Sequence, residues 1–195
     1  MINHHLEDVR FKYVTHFDNL YNLVAESELR IISIEDSLFI TNVNFFIKSY
    51  LVNLCTYCEA MLQEIAILIS KDIHQRLSNI NIPINYLYWQ LSPASYKEKD
   101  LKFEMANLCP NPRDISEKLS ANPYKTVKLF QLLGIDLNKC EYFNNHKDII
   151  NSIVNKRNNI IHHNDDAVDI SFRDLKEYIL IFKNYLNKFI DFVQI

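Results

Sequence analysis

The amino-acid sequence predicts an all-α fold, a helical bundle of four main helices. Apolar residues recur every three or four positions through four long stretches, which is the spacing of amphipathic helices. The 195 residues include a single glycine, Gly134, whereas tight β-hairpins depend on glycine in their turns. With 48% hydrophobic residues, the chain can bury the core of one domain over residues 1–195.

The first predicted helix covers residues 3 to about 30. Its apolar positions follow the helical period, with charged residues between them: Leu6, Val9, Tyr13, Phe17, Leu20, Leu23 and Val24. Residues 31–40 contain serines and an aspartate that compete for local backbone hydrogen bonds, so they predict a connection and a new helix start.

The second and longest predicted helix runs from about Leu38 to Leu77. One of its apolar rows contains Val52, Cys55, Leu62, Ala66 and Ile69, and Glu59 falls in that same row. A carboxylate among apolar neighbours needs a partner when it is buried, because an unpaired buried ion costs several kcal/mol.

Residues 79–123 predict an irregular insertion between the second and third helices, because they contain all five prolines and many Asn and Ser residues. A short helix is expected from Asp114 to Ser120, with Asp114 as its cap. Tyr88 and Trp89 are expected to pack in the core, with base stacking as the alternative. Positive residues either form an ordinary surface or guide nucleic acid: Lys97, Lys99, Lys102, Arg113, Lys118, Lys125 and Lys128.

Three further helices are predicted after the insertion. The first runs from about Pro123 to Leu133, with proline suited to its first turn and Gly134 just past its end. The second runs from about Tyr142 to His162, and the last carries helically spaced apolar residues from Phe172 to Phe189.

A cation interrupts the apolar row of the helix that ends at His162. Arg157 follows the row of Ile150, Ile153 and Val154, and a guanidinium stays charged in a protein, so it needs a carboxylate, water or an anion as partner. We predict an ion pair with Glu59. The alternative is that Glu59 lies at the edge of its row and reaches solvent.

Several functional classes are excluded by composition. Phosphate-binding loops, dinucleotide fingerprints and nucleophile elbows all need glycines that this chain lacks. A net charge of −3 argues against a general nucleic-acid coat protein and leaves room for a local phosphate site. Cys55 and Cys58 form one C-x-x-C, which is half a zinc site or a redox pair by spacing, but small core residues are favoured because nothing completes the site.

The chain is expected to act in the cytoplasm without a membrane anchor. Its longest apolar runs, such as Ile65 to Ile69, are far shorter than a membrane span. The polar N-terminus lacks the layout of a secretory signal, so its four cysteines are expected to be reduced.

The order of these features resembles the HEPN superfamily. The resemblance rests on the motif R-N-x-x-x-H, present as Arg157 to His162 before the last helix, and on Glu59 in a long earlier helix. The segments N-P-Y-K-T-V-K-L-F-Q-L-L-G-I-D and S-F-R-D-L-K-E-Y-I are most similar to its RiboL-PSP-HEPN branch. The similarity covers about residues 40 to 190.

The resemblance implies a metal-independent endoribonuclease that needs no cofactor and acts in many relatives as a toxin or in antiviral defence. His162 would act as base or acid while a ribose 2′-hydroxyl attacks the adjacent phosphorus. Arg157 would stabilise the charge on the phosphorane, and Asn158 would orient the histidine or the phosphate. His163 stands where many relatives have glycine, so either imidazole could be the functional one.

The resemblance also implies partners: an RNA substrate, a second copy of the chain facing its motif across a composite cleft, and an antitoxin or regulatory protein. Relatives neutralised by a nucleotidyltransferase antitoxin carry a tyrosine where this chain has Asn164, so that modification is not expected. Because several relatives only bind, the alternative function is a non-catalytic helical module that binds a protein or nucleic acid. In that case Arg157 would serve structure through Glu59.

Overall fold

The computed structural model describes residues 2–79, 81–91, 104–105, 111–163 and 166–194, and within them the predicted all-α fold is confirmed. Outside these ranges lie three of the lysines considered above, one of the four cysteines and the two residues that follow His163: Lys97, Lys99, Lys102, Cys109, Asn164 and Asp165. Eight α-helices occur in the described residues: α1 (Ile2–Ile32), α2 (Ser37–Thr41), α3 (Val43–Ser78), α4 (Ile84–Leu91), α5 (Pro112–Lys118), α6 (Pro123–Leu132), α7 (Glu141–His163) and α8 (Phe172–Val193).

Four long helices form the bundle. The helices α1, α3, α7 and α8 contain 31, 36, 23 and 22 residues; α1 packs on α3 and α8, and α7 packs on α8 and α3. Large side chains fill the space between them, including Phe17, Phe143, Phe182 and Phe189, each at most 1% exposed. Each such residue stabilises the fold by roughly 1.5–3 kcal/mol relative to an exposed position.

The helix α3 is the central element of this bundle. By length and composition it could cross a membrane, since an 18-residue window has a mean hydropathy of 1.3. In the structure its apolar rows, from Ile47 to Ile69, pack against neighbouring helices. The expectation that no helix spans a membrane stays a prediction.

The predicted second helix is interrupted near its start. Residues Ser37–Thr41 form the short helix α2, and Asn42 then leaves helical geometry with φ −113° and ψ 22° before α3 begins at Val43. The Asp36 side chain accepts the Leu38 N–H and caps α2, and Asn42 donates its side-chain amide to the Leu38 carbonyl. These local hydrogen bonds end α2 after little more than one turn.

The insertion contains more regular structure than predicted. The helix α5 begins at Pro112, and its cap is Asn111, whose side chain accepts the Arg113 N–H. The predicted cap Asp114 is therefore wrong; it lies in the first helical turn, because proline at the first position fixes the start earlier. Trp89 on α4 is 59% exposed, so the expected core packing is also wrong.

Side-chain caps begin two of the helices that follow the insertion, α6 and α8. Asn122 caps α6 by accepting the N–H groups of Tyr124 and Lys125, and Gly134 follows the helix with φ +80°, a conformation that favours glycine. A 3-10 turn at Leu137–Lys139 leads into α7. Ser171 begins α8 with a reciprocal capping box to Asp174.

Candidate active site

The predicted ion pair between α3 and α7 is present. Arg157 Nη2 donates to Glu59 Oε2 at 3.1 Å across 98 positions of sequence. The side chains of Arg157 and Glu59 are 16% and 30% exposed, so the carboxylate also reaches solvent. Both interpretations of Glu59 therefore hold in part: it lies at the edge of its row and neutralises the arginine from there.

The inner side of Arg157 lies against the protein interior. Its Nε is buried and has no hydrogen-bond partner in the described part of the chain, and its guanidinium is close enough to Cys55 to favour that residue's thiolate. Burial of the thiol outweighs this and raises the pKa of Cys55 to about 12. The α3 side therefore holds the guanidinium in place through one carboxylate and close packing.

An open groove runs over this ion pair. It has a volume of about 300 Å³ and lies between α3 and α7. Its lining is Thr56, Glu59, Ala60, Gln63, Arg157 and Ile161. Arg157 thus lines a solvent-accessible groove rather than lying sealed within the bundle, and an anion entering the groove would meet both its guanidinium and the Glu59 carboxylate.

The two histidines lie at the end of α7 and are exposed. Neither side chain makes a hydrogen bond, ion pair or ring contact to the rest of the described chain. Asn158 is half-buried and, four residues before His162, lies on the same side of the helix. The fold therefore brings Arg157, Asn158, His162 and His163 to one helix end but leaves both imidazoles free to reorient.

The segment after α7 is tied to the start of α3. Asp166 accepts hydrogen bonds from Lys48 Nζ at 3.0 Å and from Asn44 Nδ2 at 2.8 Å, and the Ala167 N–H donates to Asn44 Oδ1 at 3.0 Å. The Lys48 hydrogen bond is the main reason why the pKa of Asp166 is lowered. One negative charge near the histidines is therefore already paired.

The C-x-x-C of α3 is part of the core. Cys55 and Cys58 are both 0% exposed and free, and burial raises the pKa of Cys58 well above its usual value. Thiols of this kind are poor nucleophiles and poor metal ligands, because both roles need the thiolate. The prediction of small core residues describes them correctly.

One group of side chains in the described residues has the spacing of metal ligands, and it is exposed on the first turns of α1. His4, His5 and Asp8 place their ligand atoms within 4.8 Å of one another. His5 also borders a cavity with residues of the C-terminal half of α3, whereas the α7–α8 connection is tied to the start of α3. The group is therefore at the opposite end of the bundle from His162.

A larger groove of about 560 Å³ lies elsewhere, between the end of α1, the start of α3 and the start of α8. Apolar residues such as Ile31, Ile47 and Phe172 dominate its lining. It contains no histidine, and its chemistry is that of a hydrophobic surface. The smaller groove is the candidate active site because it contains Arg157 of the motif; His162 and His163 follow on the same helix but are not among the residues that line this groove.

Two groove residues were not predicted from the sequence. Thr56 and Gln63 lie one turn on either side of Glu59, and in the described chain no other residue contacts the Gln63 side-chain amide through a hydrogen bond. Their sequence signal is weak, since polar residues at the edge of an apolar row are common. A polar residue one turn from an inward charge is the feature that would have found them.

Comparison with known proteins gives one finding. A family model described as RiboL-PSP-HEPN matches residues 11–194. No curated protein and no solved structure shows a significant match. The matched range extends beyond the region of similarity recognised in the sequence and includes most of α1, so this helix belongs to the conserved domain.

Proposed function

The chain belongs to the RiboL-PSP-HEPN family, and from this membership together with the α3–α7 groove we propose that it is a metal-independent endoribonuclease. The observation that carries the proposal is the position of Arg157, which is held by Glu59 and lines an open groove. A cation held in place by folding needs little reorganisation when charge develops on a bound phosphate, which would compete with Glu59 for the guanidinium.

The proposed reaction is an internal transesterification of RNA. The ribose 2′-oxygen forms a bond to the adjacent phosphorus, the bond from phosphorus to the 5′-oxygen breaks, and the products are a 2′,3′-cyclic phosphate and a 5′-hydroxyl. A base removes the 2′-proton and an acid supplies a proton to the leaving oxygen. His162 fills one of these roles, with His163 as its alternative, Asn158 orients the imidazole or the phosphate, and Arg157 stabilises the phosphorane.

The acting form in this proposal is a homodimer. One motif supplies one fixed cation and its exposed imidazoles at a single helix end, whereas the reaction uses a base and an acid on opposite sides of the phosphorus. A twofold axis beside the motif brings a second set without any new residue, because the same surface meets itself in an isologous interface. Ile161, 49% exposed beside the groove, supplies an apolar contact for such an interface.

A second candidate is supported by the same ion pair. Glu59 gives Arg157 a structural role that needs no substrate, so a non-catalytic module that binds a protein or nucleic acid would keep the pair. The two functions differ at His162, because only catalysis requires an imidazole there. In either case we propose a cytoplasmic protein, and for the enzyme a toxin or antiviral role controlled by an antitoxin or regulatory protein.

The proposal is tested by incubating the purified protein with total RNA in the presence of a chelator. We expect cleavage to persist and to leave 2′,3′-cyclic phosphate ends. A matched RNA with 2′-deoxyribose at the cleavage positions should remain intact, since it lacks the attacking oxygen. A strict need for a divalent metal, or cleavage of the deoxy-substituted RNA, would contradict the mechanism.

A further inference from the structure

We propose that a second groove, between α5 and α6, holds the RNA backbone beyond the cleavage site through Lys118, Lys125 and Lys128. This inference rests on the proposed function and adds a binding path to it. The groove has a volume of about 270 Å³ and is lined by Glu117, Lys118, Lys125, Lys128, Leu129 and Leu132. It will be called the lysine groove.

The three lysines of the lysine groove come from two helices. Lys125 and Lys128 are three residues apart on α6 and therefore lie on the same side of that helix, while Lys118 is the last residue of α5. All three are exposed. Three ammonium groups around one depression form a local positive surface on a chain whose net charge is −3.

These charges are left unpaired within the described chain. The nearest acidic lining residue, Glu117, accepts a hydrogen bond from Arg113 Nε at 2.9 Å. Other lysines differ in this respect: Lys12 lies 2.7 Å from Glu64 and Lys176 lies 2.6 Å from Glu28. Unpaired lysines gathered in a groove favour an anionic chain, because each phosphate that they neutralise releases condensed counterions.

The lysine groove lies on helices that pack against those of the candidate active site. Asn122, the cap of α6, donates its side-chain amide to Asn151 on α7 at 2.9 Å, and Tyr124 donates to Asp148 at 2.8 Å. Asn151 precedes Arg157 by six residues of the same helix, or about 9 Å along its axis. Because α5 packs on α3 and α6 packs on α7, this pair bridges the two helices whose groove contains Arg157.

The chemistry of the lysine groove fits a single-stranded RNA backbone. Lysine is a compact point charge that contacts phosphate without demanding a fixed angle, which suits a flexible chain. Leu132 is 73% exposed and Tyr124 is 49% exposed beside the lysines, so sugar and base surfaces would meet apolar and aromatic groups. An acidic protein segment would meet the same lysines, and a wild type that binds no RNA would exclude the nucleic acid as the occupant.

The test measures binding of a fluorescent single-stranded RNA that is 2′-O-methylated throughout, so that it cannot be cleaved through its 2′-oxygens. The association constant is measured over a salt series for the wild type and for the triple variant Lys118→Gln, Lys125→Gln, Lys128→Gln. Removing three phosphate contacts should reduce the magnitude of the slope of log K against log salt by about 2. The matched control replaces Lys12, Lys176 and Lys183, which pair with Glu64, Glu28 and Asp18.

Both triple variants lose the same formal charge, so only a local contact makes their slopes differ. We expect the control slope to equal that of the wild type, with circular dichroism showing that both variants are folded. Equal slopes for all three proteins, equal losses in both variants, or no RNA binding by the wild type would overturn the inference. If lysine-dependent binding occurs without cleavage of natural RNA, the lysine groove stands and the proposed ribonuclease activity fails.

Discussion

The two ends of the R-N-x-x-x-H motif are treated differently by the fold. Arg157 is 16% exposed and is paired with Glu59 across the bundle, whereas His162 is exposed on the last turn of the same helix and makes no hydrogen bond, ion pair or ring contact in the described chain. This difference shows which residue of the candidate site is pre-organised by folding. The cation is held in place by the fold of one chain, while the imidazole would have to be positioned by the proposed RNA substrate or second protomer.

From this difference we expect substitutions at the two positions to affect activity and stability differently. A group that folding fixes contributes to the free energy of unfolding as well as to catalysis, whereas a group that folding leaves free contributes to catalysis alone. Changes at His162 should therefore alter activity without altering stability. Changes at Arg157 should alter both.

The largest expected effect is at the free end of the motif. His162→Ala should lower the rate of RNA cleavage by about 10²–10⁴-fold, the usual size of a general acid-base contribution. The free energy of unfolding should stay within about 0.5 kcal/mol of the wild type, as for other exposed positions without contacts. His163→Ala is the control, measured with the same RNA and by the same denaturant titration. If only the His163 variant lost cleavage activity, the acid-base role would belong to His163.

The next effect concerns the fixed end. Arg157→Ala or Glu59→Ala should lower the free energy of unfolding by about 1–3 kcal/mol, less than for a fully buried pair because Glu59 reaches solvent. Chemical denaturation of both single variants and the double variant gives the coupling between the two side chains. Additive single effects would show that the pair has no energetic significance, and Arg157 would then be free to serve the phosphate alone.

A smaller effect tests whether the free imidazole is completed by a second chain. Wild-type and His162→Ala chains are mixed in equal amounts, unfolded and refolded together. The activity of the mixture is compared with that of wild-type protein at the same total protein concentration. In a composite site each mixed dimer lacks one imidazole, so the activity should fall to roughly a quarter when both imidazoles are essential and only wild-type pairs are active. Activity that equals the wild-type fraction of chains would mean that each protomer works independently.

The smallest effect lies in the connection that follows the histidines. The pKa of Asp166 is lowered chiefly by its hydrogen bond from Lys48, so this carboxylate stabilises the fold above its unfolded pKa of about 3.9 and loses that contribution as the pH falls further. The difference in melting temperature between the wild type and Asp166→Asn should therefore be small near neutral pH and vanish in acid. A difference that grows on acidification would contradict this assignment.

Periodicity was sufficient to predict the ion pair. Glu59 and Arg157 each interrupt an apolar row on a long helix, and two inward charges of opposite sign reduce each other's desolvation penalty when they meet. Periodicity also explains why the bounds of α1, α6, α7 and α8 lie close to the predicted ranges. Burial of one apolar face determines both the helix and its neighbours.

The remaining features depend on interactions that periodicity does not encode. The break at Asn42 comes from side-chain hydrogen bonds to nearby backbone, which compete with a helix of otherwise continuous apolar character. Thr56 and Gln63 border the groove because of where α7 packs on α3, which the periodicity of α3 alone does not give. The exposure of Trp89 likewise depends on what packs over α4, and its residue type alone favours burial.

The packing of α1 against α8 has a consequence for the nascent protein. A ribosome adds about 5–20 residues per second, so the 98 positions between Glu59 and Arg157 separate their emergence by about 5–20 s. Throughout this interval α1 and α3 expose the faces that α7 and α8 will cover. The groove between α3 and α7 therefore does not exist until Arg157 has emerged, and if it cleaves RNA as proposed, the transcript being read is not exposed to that activity before then.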